Sequence, residues 1–82
     1  MDEIRVLNGR VKVGDRIAVA ITAGRHGCGM RVGEVLELVP GGPRVKVRVD
    51  LSSGYHFQPV PYTKTYDDPA RMVKLGALQD AL

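Results

Sequence analysis

The chain has no tryptophan, one phenylalanine, three tyrosines and a single cysteine among its 82 residues. Cys28 therefore closes no internal disulfide, which argues against the disulfide-stapled secreted scaffolds and leaves packing as the source of stability. Long hydrophobic runs are also missing: no stretch approaches the roughly 20 apolar residues of a membrane span. The acidic start Met1-Asp2-Glu3 lacks the basic and apolar segments of a secretory signal, so the expected compartment is the cytoplasm, with no membrane partner. Acids are in slight deficit, nine against twelve bases, for a net charge of +3. That balance favours acidic partners weakly and falls short of the charge density of proteins that coat nucleic acid. The length holds one domain that buries about 60–65% of its unfolded surface, and excludes a second.

What is present is strand pattern. From Arg44 to Leu51 apolar and charged residues alternate through eight positions, the signature of a strand with one wet face. This spacing predicts Val45, Val47, Val49 and Leu51 in the core, with Arg44, Lys46, Arg48 and Asp50 outside. Arg16 to Thr22 alternates too, with Ile17, Val19 and Ile21 on one face, and enters from the turn Val13-Gly14-Asp15. Between these runs, Met30 to Val39 loses its alternation near Gly33, which predicts a bulge and a sharp bend. Pro40-Gly41-Gly42-Pro43 supplies turn chemistry, so the two flanking runs should form an antiparallel hairpin. A second turn is expected at Ser52-Ser53-Gly54. Pro59 and Pro61 cannot donate ladder bonds, which makes Gln58 to Tyr62 an edge strand or an extended excursion. Asp67-Asp68-Pro69-Ala70 reads as a capped helical turn, and Arg71 to Leu75 as a last short strand. The expected organisation is a domain over residues 1–75 and a tail over residues 76–82.

Five short strands without a convincing helix indicate an all-β fold, a small barrel in preference to the longer, helix-containing five-stranded OB-fold. The residues Val13 to Val19, Gly29 to Leu36 and Arg44 to Leu51 resemble the SH3-like barrel, including its KOW-type members in ribosomal proteins and elongation factors. The resemblance covers Val11 to Leu75. It implies a five-stranded SH3-like barrel with a short helical turn before the last strand, and supports fold more than function. Lys12 to Ile21, Met30 to Leu38 and Arg71 to Leu75 also resemble small SH3-like proteins of unassigned role from actinobacterial bacteriophages. That similarity implies a host-cytoplasmic protein made during infection and supplies no molecular activity; action on a host factor belongs to the protein-interaction reading below.

Catalytic chemistry finds little support. His26 and Cys28 share a glycine-rich loop but lack a third group to orient the histidine. Adding His56 gives three potential zinc ligands without paired spacing, so neither a metal nor another cofactor is expected. The loop glycines do not match a phosphate-binding motif, and Asp67 and Asp68 are better explained as caps than as an acid/base pair. The chain therefore reads as a binding module, not an enzyme, with no small-molecule substrate. Two candidate surfaces follow. For nucleic acid, Arg44, Lys46 and Arg48 form an outward row that Arg25 and Arg31 would extend along a phosphate backbone; cross-strand Glu34, Glu37 or Asp50 would neutralise it. For a protein partner, Tyr55, His56, Phe57, Tyr62 and Tyr66 hold every phenylalanine and tyrosine of the chain within twelve positions, beside two prolines, although some must fill the core. The favoured reading is a protein-interaction adaptor, with nucleic-acid binding as the alternative.

Overall fold

The structure is a computed structural model that describes residues 3–22, 27–54 and 59–76. Its architecture is all-β. Strands β1 (Ile4–Val6) and β2 (Gly9–Val11) form a small hairpin, and β3 (Arg16–Thr22), β4 (Cys28–Val39), β5 (Arg44–Gly54), β6 (Tyr62–Tyr66) and β7 (Met72–Lys74) form a second sheet. Every pairing is antiparallel, in the order β6-β5-β4-β3-β7. A 3-10 turn, Pro69–Arg71, precedes β7 where a capped turn is expected. Asp68 caps it, its Oδ1 accepting from the Ala70 amide at 3.2 Å and its Oδ2 from Arg71 Nε at 3.0 Å. Among the described residues no pairing joins β6 to β3 or β7, so the sheet stays open along that seam.

The core is built from the alternating positions. Ile17 and Val19 of β3, Val35 of β4, Val45, Val47 and Val49 of β5, and Met72 of β7 are buried, with Tyr66 of β6 as the large side chain among them. Each fully buried valine contributes roughly 1.5–3 kcal/mol. Ile4, Val6 and Val11 of the hairpin complete one end of this core. Ile21 is half-buried against it.

The bulge predicted near Gly33 is present as a register shift between Val32 and Gly33, and a second shift falls between Val35 and Glu37. The first shift corrects the expectation for Leu51. Val49 pairs with Gly33 and Leu51 with Val32, so β5 advances two residues where β4 advances one. The extra residue reverses the alternation, and Leu51 emerges outward, 53% exposed. Ser52, Ser53 and Gly54, expected in a turn, extend β5 instead.

The hairpin β1–β2 and the position of β6 were not anticipated. Asn8-Gly9, where the turn Leu7-Asn8 meets the first residue of β2, is the signal for the former. For the latter it is Tyr62-Thr63-Lys64-Thr65-Tyr66, where β-branched and aromatic residues alternate just beyond the prolines. The expected edge strand thus begins at Tyr62, after a cis Val60–Pro61 bond, and does not include the prolines.

Candidate functional site

The basic row is only partly assembled. Arg44, Lys46 and Arg48 all lie on the outer face of β5. Acids stand among them: Glu34 pairs opposite Arg48 and Glu37 opposite Lys46. One NH2 group of Arg44 is spent on the Pro40 carbonyl at 2.7 Å. Asp50 is held by Arg16 through two bonds of 2.8 and 2.9 Å. Arg16 thereby lowers the Asp50 carboxyl below its ordinary range, chiefly by hydrogen bonding, and burial opposes the shift.

Arg31 does not extend this row. It pairs with Val19 and Ser52, shares the inward parity of Gly33 and Val35, and is 3% exposed. Its guanidinium donates to the Ser53 carbonyl at 2.9 Å and to its neighbour Met30 at 3.1 Å, which satisfies part of the cost of burying a charge. The alternation on β4 therefore places this arginine inside. Arg25 lies outside the described residues, as does His26.

The aromatic cluster divides as well. Tyr55, His56 and Phe57 lie outside the described residues. Tyr66 is buried in the core and Tyr62 is half-buried against it. Both hydroxyls, and that of Ser52, are buried with no hydrogen-bond partner of good geometry among the described residues. Burial first, and the neighbouring Tyr62 phenol second, push the Tyr66 hydroxyl well above the ordinary phenol range. These two tyrosines fill space beneath the sheet; they do not form an exposed surface patch.

The open seam is the feature that the sequence reading missed. β7 pairs with Ile17, Ala18 and Val19 of β3 and no further, because the chain upstream of Met72 is wound into the 3-10 turn. The edge of Ala20, Ile21 and Thr22 consequently has no strand beside it among the described residues. Among the described residues β6 is paired to β5 alone, which leaves it a free edge of its own. Between these two edges lies a cleft of about 350 Å³, with Lys64, Tyr66 and Asp67 on one wall and Ile21 and Thr22 on the other. Arg71 ties the 3-10 turn to β3 there, donating to Asp68 at 3.0 Å and to the Thr22 hydroxyl at 2.9 Å. The Lys64 ammonium stands 5.5 Å from the Tyr66 ring centroid, a cation–π contact at the mouth.

The sequence profile of a family described as domain of unknown function (DUF7205) matches residues 6–75. The chain belongs to that family. The matched span runs from β1 to just beyond β7, so the family covers both edges of the seam and the 3-10 turn between them. No curated protein and no solved structure matched the chain. Among the described residues no group of three or more metal-ligating side chains gathers, and no helix is long and apolar enough to cross a membrane. Cys28 is exposed, at the start of β4.

Proposed function

We propose that this protein is a non-catalytic binding module of the SH3-like barrel type, and that it takes an extended segment of a protein partner into the seam between β3 and β6. The order β6-β5-β4-β3-β7, with a 3-10 turn before the last strand, supports the barrel reading. The observation that carries the functional reading is the edge at Ala20–Thr22, unpaired among the described residues on the side away from β4, with the outer edge of β6 across a cleft from it. A free edge presents amide and carbonyl groups in strand geometry, and a peptide that adds a strand there gains main-chain hydrogen bonds regardless of its own sequence. Side chains alternating along it would be sorted by Ile21 on one wall and Lys64 on the other. Lys64 in the middle of β6 also discourages edge-to-edge pairing between copies, which favours a foreign segment over self-association. On the resemblance to phage proteins, that segment belongs to a host protein.

Nucleic acid is the weaker candidate because the row on β5 is interleaved with Glu34 and Glu37 and lacks Arg31. Selection of random peptides displayed against the folded protein tests the reading. Enriched peptides should shift the amide resonances of Ala20–Thr22 and Thr63–Thr65. N-methylation at alternate peptide positions should cut affinity about tenfold in one register and leave the other unaffected, as strand addition requires. Enrichment of peptides that map to the outer face of β5, or indifference to N-methylation in both registers, overturns it.

A further inference from the structure

A second cleft, of about 480 Å³, lies between β1 and the turn joining β4 to β5. Ile4, Leu38, Val39, Pro40 and Pro43 form its apolar walls, and Arg5 is the charged group on its lining. Its volume is that of a small-molecule site, about 300–1,000 Å³, and its lining has the usual character of one, mostly apolar with a few polar groups.

The wall is already built. Gly41 adopts a φ of +92°, a conformation that disfavours any side chain, and the two prolines fix their own φ. Arg44 locks the turn twice, its guanidinium donating to the Pro40 carbonyl at 2.7 Å and its amide to the Gly42 carbonyl at 2.8 Å. A ligand entering here would have little ordering cost to meet, which favours affinity for a small molecule.

Charge selects the ligand. Arg5 stands directly opposite Arg10 in the β1–β2 register, and like charges in that position repel. Glu3 lies 3.8 Å from Arg10 and relieves that side, whereas Arg5 has no ion pair among the described residues. Among the described residues the hairpin therefore holds a cation without an ion pair on the rim of an apolar cleft. We propose that this cleft binds a small amphipathic monoanion, an apolar body carrying one carboxylate. The body packs on Leu38, Val39 and the two prolines, and the carboxylate sits on Arg5.

Titration of the isotope-labelled protein with octanoate, octanol and octylammonium tests this site separately from the seam. Octanoate should shift the amides from Leu38 to Arg44 and saturate, binding about tenfold more tightly than octanol, as one charge-assisted contact allows. Arg5→Glu should remove that advantage and leave octanol binding unchanged. Arg48→Glu, which changes the net charge equally on the outer face of β5, should leave octanoate binding as it is. Equal binding of octanoate and octanol by the wild-type protein would overturn the proposal without recourse to any variant. So would shifts centred away from the turn, no shift at millimolar octanoate, or equal loss in both charge reversals.

Discussion

At Gly33 the strands β4 and β5 come so close that a side chain has nowhere to go. A Cβ there would land on the Arg48 carbonyl and press on the Val47 side chain at 2.9 Å. Because backbone cannot rotate aside as a long side chain can, Gly33→Ala should cost about 1–3 kcal/mol, or more if the bulge is lost, and chemical denaturation will show it as a lowered midpoint. Tyr66 presents the reverse case. Its hydroxyl is buried with only the equally buried Tyr62 phenol acting on it among the described residues, so Tyr66→Phe removes a desolvated group without leaving a cavity and should stabilise by up to about 1 kcal/mol. The pH dependence carries a sign. With the folded hydroxyl held above the ordinary phenol value by burial, the unfolded chain loses its proton first as pH rises, and stability falls above about pH 10. Alkaline unfolding of the Phe variant should therefore begin at higher pH than that of the wild type. If the two alkaline curves coincide, the Tyr66 hydroxyl is not shielded as described.

At the scale of elements, what could be read from the chain depended on whether a strand kept one alternation throughout. β3 did in its larger side chains Ile17, Val19 and Ile21, although Ala18 is buried as well, and its bounds follow directly from Arg16 to Thr22. β5 did as far as Asp50, after which the extra residue at the bulge reversed inside and outside for Leu51. The break near Gly33 was legible, but its effect on the partner strand was not, because a register shift is a property of two strands together. Arg31 was misplaced for a related reason: an arginine in a strand is ordinarily outside, and its carbonyl partners become visible only once β5 is beside it. The seam could not be read at all, since no residue announces that β7 ends opposite Val19. Elements two strands apart are also linked, β3 to β5, by the Arg16–Asp50 pair. Both side chains are substantially exposed, so Asp50→Asn should cost only about 0.5 kcal/mol at neutral pH. Since Arg16 depresses the folded carboxyl, this stabilisation is present above the unfolded pKa, near 4, and is lost as pH falls through the lower folded value. The Asn variant should accordingly show a shallower loss of stability as pH falls below about 4. An unchanged acid limb would mean that the pair does not form in solution.

For the whole molecule, the net charge of +3 is less informative than its distribution. Acids and bases alternate across the outer face, and a polyanion meets no continuous track there. Labelled duplex and single-stranded DNA should show no salt-sensitive anisotropy change at micromolar protein and physiological ionic strength; steep salt-dependent binding would restore the nucleic-acid alternative. The turn of the β1–β2 hairpin is also tied to β7, where the Leu7 amide donates to the Met72 carbonyl at 3.2 Å and one side chain adds two further bonds. Asn8 donates to the Lys74 carbonyl at 2.9 Å and accepts from the Lys74 amide at 2.7 Å, imitating one rung of a ladder between positions 66 apart in sequence. Such a rung forms only after nearly the whole chain has been gathered, so it belongs to the late stages of a folding reaction that non-local pairing places in the millisecond-to-second range. Asn8→Ala should hasten unfolding several-fold while leaving the folding rate nearly untouched, a kinetic latch whose removal shortens the lifetime of the native state.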